Sequence, residues 1–169
     1  MVGVRLDRNR VLEAGGVRGK EMLDIGGGPL AIIAARDFGC YVTTIETSRE
    51  ALEEERGDIV REKLEKRVTL VQGDARYLPY RENSFDVVIS YGALHHVLDE
   101  REYFIDEARR VAREKVIIAE LYKSFFSAYH AGNRECKWVD RKWMKKELGK
   151  FSKVEKHSGT EMQIYVCFK

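Results

Sequence analysis

The chain has 169 residues, of which 44% are hydrophobic and 34% charged, with a net charge of +2. That length suits one domain over residues 1–169, large enough to bury a core without disulfide or metal staples. No apolar run nears the roughly 20 residues of a membrane span, the first residues lack the apolar core of a secretory signal, and Cys40, Cys136 and Cys167 are too scattered for a zinc site or a disulfide framework. A cytoplasmic protein with no membrane contact is expected.

The charge is uneven. Residues 1–120 hold 19 Lys and Arg against 23 Asp and Glu, while residues 121–169 hold 11 against 5. A basic C-terminal third suits an anionic substrate or RNA, or simply a solvated face.

Short apolar runs alternate with longer polar segments, the pattern of βαβ units and a parallel sheet. Asp7–Glu13 reads as a short leading helix. The strand candidates are Glu21–Ile25, Tyr41–Ile45, Val68–Val71, Phe85–Ile89 and Val116–Ala119. Pro29, just after three glycines, sits where the first turn of a helix begins. Thr47 and Glu50 form a capping box for a helix to about Glu65, and Asp99 with Glu102 starts another to about Ala112. Asp140 caps a helix through Leu148. Two closely linked strands, Phe151–Lys156 and Gln163–Phe168, turn around Ser158-Gly159 and must be antiparallel. The sum is five βα-type units followed by a hairpin at the sheet edge.

The first strand runs into Gly26-Gly27-Gly28. Glycines there let the backbone turn sharply and let a ligand lie against the main chain at the next helix's N-terminus. Alone this is a weak signal, since Gly26-x-Gly28-x-x-Ala31 also satisfies a dinucleotide fingerprint. Two acids sharpen it. Glu46 closes the second strand and can accept from both hydroxyls of a ribose. Asp74 closes the third and can accept from an exocyclic amine such as adenine's. Both beside a glycine turn make a nucleoside site.

From about Gly19 to Leu121 the sequence resembles the class I S-adenosylmethionine-dependent methyltransferases, close to the small ubiquinone/menaquinone-type members. Asp24-Ile25-Gly26-Gly27-Gly28 is similar to the loop that holds the methionine end of the cofactor. Glu46, followed by Thr47, matches the ribose-binding acid, and Asp74, followed by Ala75, the adenine-side acid. Ser84–Ile89 and then Ser90-Tyr91-Gly92-Ala93-Leu94-His95-His96 resemble the fourth strand and its loop, and Glu107–Val111 the helix before strand five. The resemblance implies a Rossmann-like α/β fold with a mostly parallel seven-stranded sheet, a C-terminal antiparallel hairpin and helices on both faces. It implies S-adenosyl-L-methionine as cofactor and methyl transfer. Ser90-Tyr91-Gly92-Ala93 is not the Asn/Asp-Pro-Pro-Tyr/Phe sequence typical of methyltransferases acting on base or glutamine amide nitrogens, so a small-molecule acceptor is favoured, with RNA second because of the basic C-terminal third. Two departures stand out: Leu30 replaces the third loop glycine, and Arg113-Glu114-Lys115 replaces the usual Pro-Gly-Gly turn, a change expected to affect only that loop.

The methyl carbon of a sulfonium is already activated, so such a protein mainly aligns the reactants and excludes water, which supplies on the order of 7–11 kcal/mol. A base is needed only where the nucleophile must lose a proton; His95 and His96 are the candidates, against a core or solvated role for each. Tyr91 is placed against the cofactor. The aromatic run Leu121–His130 either roofs a pocket or forms a connecting helix. Two other readings remain open, an NAD-dependent oxidoreductase and a non-catalytic partner-binding protein of the same fold. The acceptor and the oligomeric state are not legible.

Overall fold

A computed structural model describes residues 7–97, 99–121, 139–158 and 162–169. In chain order these form α1 (Arg8–Gly15), β1 (Glu21–Ile25), α2 (Pro29–Phe38), β2 (Tyr41–Glu46), α3 (Arg49–Arg61), β3 (Val68–Gln72), β4 (Phe85–Tyr91), a 3-10 turn (Leu94–His96), α4 (Arg101–Val111), β5 (Ala112–Leu121), α5 (Arg141–Leu148), β6 (Lys153–Ser158) and β7 (Met162–Phe168). The strands lie in one seven-stranded sheet ordered β3-β2-β1-β4-β5-β7-β6. The first five run parallel, and β7 is antiparallel to both β5 and β6.

The central strands are apolar at consecutive positions because both faces are covered. Met22, Val87, Ile89 and Ile117 pack with α1, α2 and α3. Leu23, Val88, Val116 and Ile118 pack on the other face with α4 and α5. This is the Rossmann-like fold the sequence implies. No helix among the described residues is long and apolar enough to cross a membrane.

Several helix ends follow simple chemistry. Asp7 caps α1 by accepting from the Asn9 N–H at 3.0 Å, and Asp140 caps α5 by accepting from Lys142 and Trp143. Pro29 takes the first position of α2.

Other expectations need correcting. The cap of α3 is Ser48, which accepts from the Ala51 N–H at 3.2 Å; Thr47 instead donates its hydroxyl to Glu46. That helix ends at Arg61, shortly before Lys63 adopts a φ of 57°. At α4, Glu100 rather than Asp99 precedes the helix, with a φ of 59°. The third unit has no helix: between Gln72 and Phe85 the chain makes only turns, since Pro79 and Asn83 (φ 55°) break helical geometry. No loop precedes β5 either. The strand follows α4 directly, and Arg113-Glu114-Lys115 lies within it, where the register against β4 shifts between Phe85 and Val87. Arg113 pairs with Asp86, and Glu114 with Lys20 at 2.6 Å. β6 begins two residues later than expected, because Phe151 is buried in the core. Of the aromatic run Leu121–His130, only Leu121 falls within the described residues, as the end of β5; Cys136 and the Gly159 side of the hairpin turn also lie outside them.

Candidate active site

The order of the sheet reverses between β1 and β4, and open α/β sheets bind ligands at such a point, beyond the carboxyl ends of the strands. Here the turn after β1 meets the loop after β4. Gly26, Gly27 and Gly28 have φ values of 99°, 42° and 111°, a succession open only to glycine. A Cβ on Gly26 would stand 2.6 Å from the Ala93 Cβ, so the two loops touch. Beside them lies a cleft of about 760 Å³.

The sequence-predicted residues fall into three groups. Gly26, Glu46, Thr47, Asp74, Ala75 and His96 line the cleft. Asp24, Gly27 and Gly28 lie in or beneath the glycine turn. Ser90, Tyr91 and His95 stand behind the wall formed by Gly92 and Ala93.

Asp24, at the end of β1, is only 2% exposed, and its Oδ2 accepts no hydrogen bond among the described residues. Burial pushes its carboxyl well above the usual carboxylate range, and the nearby Glu55 adds to this; Arg8 acts the other way. Glu46, the last residue of β2, fixes one oxygen by accepting from Thr47 Oγ1 at 3.0 Å and from the Ser48 N–H at 2.8 Å. Its other oxygen, Oε2, lies 3.5 Å from where a Cβ on Gly27 would be. Asp74, two residues beyond β3, is gripped by Arg76, which donates its backbone N–H at 2.8 Å and its Nη2 at 2.7 Å. The guanidinium holds the Asp74 carboxyl below its ordinary value. Arg76 also reaches Glu100 at 3.2 Å, linking the two sides of the cleft.

Ser90 is buried, with its Oγ unpartnered among the described residues. The Arg8 guanidinium lies 4.7 Å from the centre of the Tyr91 ring. The two histidines differ. His96 is exposed and faces the cleft, whereas His95 is 6% exposed, with Nδ1 2.6 Å from Oε1 of the fully buried Glu120. Their rings stand 4.1 Å apart. Leu30, the departure in the loop motif, turns away from the cleft into the core between α2 and the sheet.

Sequence reasoning missed Arg76, Glu55 and Glu120. Glu55 sits in a Glu53-Glu54-Glu55 run that reads as solvated, yet it alone of the three is buried. Glu120 lies within β5 but one residue beyond its apolar run Val116–Ala119. Arg76 carried one signal, its position two residues after an acid in a turn.

Residues 23–119 match the methyltransferase domain family. The chain belongs to that family. It is the class I, S-adenosylmethionine-dependent family that the sequence resembles. Among curated relatives, norajmaline N-methyltransferase of Rauvolfia serpentina is 37% identical over 95 residues, 55% of this chain and 32% of that protein. The chain spans about a third or less of the length of the curated relatives it matches. Among solved structures, phosphoethanolamine N-methyltransferase 2 of Haemonchus contortus, in complex with phosphomonomethylethanolamine and S-adenosylhomocysteine, superposes with a TM-score of 0.75 at 26% identity, covering 89% of this chain and 38% of that one. The cyclase SpnF shares the fold, with a TM-score of 0.74 at 23% identity over 88% of this chain and 58% of that one. A shared fold alone therefore does not decide the chemistry.

Proposed function

We propose that this chain transfers a methyl group from S-adenosyl-L-methionine to a small-molecule acceptor. One observation carries the reading: Asp24 and Glu46, at the carboxyl ends of β1 and β2, and Asp74, two residues beyond β3, stand at one end of three adjacent strands, around a turn of three glycines with positive φ. The donor set fits the cofactor. Its methionine end is cationic at the ammonium and sulfonium, and Asp24, whose Oδ2 has no partner among the described residues, lies beneath the glycine turn. Gly26, Gly27 and Gly28 leave their Cβ positions to the ligand, Glu46 takes the ribose hydroxyls, and Asp74 with Ala75 takes the adenine. Thr47 orients Glu46, while Ser90 and Tyr91 back the methionine end.

When bound, the sulfonium would supply an activated methyl carbon: the acceptor's nucleophile bonds to it as the carbon–sulfur bond breaks, and S-adenosylhomocysteine leaves as the neutral thioether. The protein then has to align the acceptor and keep water out. Where the acceptor's nucleophile carries a proton, His96 is the base of choice because it faces the cleft, and His95 supports its ring. The family relationship favours a small acceptor over RNA, and over a non-catalytic role. A single domain over residues 1–169 and a cytoplasmic setting belong to the same proposal; the free, buried thiols of Cys40 and Cys167 agree with a reducing compartment.

A thermal-shift comparison tests the reading. S-adenosylhomocysteine at a hundred times its dissociation constant stabilises the fold by about 2.7 kcal/mol, whereas NADH leaves it unchanged. The reverse result would assign the cleft to a dinucleotide.

A further inference from the structure

The N-terminus of α2 lacks a cap of its own. The residue in the cap position is Gly28, which has no side chain, and Pro29 follows it. The first N–H groups of a helix need acceptors from outside the helix. Gly28 finds one on another helix: its N–H donates to Glu55 Oε2 at 3.0 Å, and Thr44 Oγ1 donates to Glu55 Oε1 at 3.1 Å.

Glu55 is 4% exposed and stands among like charges. Burial raises its carboxyl, and Glu46 and Asp58 add to the effect, while the Gly28 and Thr44 donors oppose it. A carboxylate so placed costs stability, and an apolar residue would pack there without that cost. The apolar residue would, however, leave the Gly28 N–H without its acceptor. Gly27 lies between two acids, since a Cβ there would come within 3.4 Å of both Glu55 Oε2 and Glu46 Cγ.

We propose that Glu55 is a positioning residue. It pins Gly28, caps α2 from α3, and holds the glycine turn in the shape that receives the methionine end of the cofactor. The inference rests on the cofactor reading above and adds a residue to it.

The test compares full-length Glu55→Ala and Glu55→Gln with the parent. The readouts are hydrogen exchange of the Gly28 amide without ligand and calorimetric affinity for S-adenosylhomocysteine. The Ala variant should lose Gly28 protection and bind about tenfold more weakly, the effect of one charged hydrogen bond. The Gln variant keeps an acceptor for Gly28 and should stay within about threefold of the parent in both readouts. Thr44→Val removes a donor from Glu55 without touching the loop, and it should shift both readouts in the same direction by less. It serves as the probe should Glu55→Ala fail to fold. Unchanged affinity in Glu55→Ala beside a parent that binds would overturn the proposal, even if the melting temperature moved. A parent that binds no S-adenosylhomocysteine would sink the cofactor reading instead, and Gly28 exchange would still report whether Glu55 holds the turn.

Discussion

Asp24 and Asp74 are the same residue type, each near the carboxyl end of a parallel strand, yet the two ends of the cleft treat them in opposite ways. Asp24 is buried under the glycine turn with an unpartnered oxygen, and its carboxyl is pushed up. Asp74 is half-exposed, forked by Arg76, and its carboxyl is held down. The first end is rigid, built from backbone and from carboxylates that are costly to bury. The second is a surface ion pair whose partner can be exchanged for a ligand's donor. Under the proposed function, the buried end would receive the methionine part of the cofactor and the solvent-screened end its adenine.

Substitutions can break this contrast at either end. The largest effect is expected at the rigid end from Gly26→Ala, whose Cβ would collide with Ala93 at a φ of 99°. It should lose on the order of 3 kcal/mol of stability in urea denaturation, together with S-adenosylhomocysteine binding. Glu46→Ala leaves the turn intact and should weaken S-adenosylhomocysteine by about 1.5–3 kcal/mol in calorimetry.

Asp24→Asn sharpens the comparison through pH. The folded state raises the Asp24 carboxyl, so its favourable contribution is complete below the unfolded value near about 4 and declines as pH rises toward the folded one. The Asn variant should therefore melt higher than the parent at pH 8 while binding S-adenosylhomocysteine more weakly. A lower melting temperature at pH 8 would contradict the assignment.

The smallest change is expected from Arg76→Ala. Its ion pair with Asp74 is screened by solvent and contributes little. The sign is opposite to that at Asp24. Asp74's lowered carboxyl stabilises the fold above the unfolded value, and this contribution fades as pH falls through the folded value. The Arg76→Ala variant should therefore lose less stability than the parent on acidification, as measured by melting curves between neutral and acid pH.

The strands were legible because buried parallel strands are continuous apolar runs bounded by polar turns. Glu21–Ile25 was read to the residue, and β2, β3 and β4 ran only one or two residues past their apolar runs. Helix starts were less so where neighbours compete: Thr47 and Ser48 can both cap, and Ser48 accepts from the Ala51 N–H while Thr47 donates to Glu46. The acids around the turn announced themselves by their place at strand ends. Glu55 and Glu120 did not, since nothing local marks one glutamate of three as the buried one, and the His95–Glu120 contact joins residues 25 apart in sequence. Contacts made across the fold have no periodic signature.

One ligand is proposed to span the glycine turn and the ends of β2 and β3. Calorimetric titration of S-adenosylhomocysteine into the parent chain and into Glu46→Ala addresses it most directly. Saturable one-to-one binding to the parent and at least about tenfold weaker binding to the variant are expected. No binding to the parent, or equal affinity in both proteins, would contradict it.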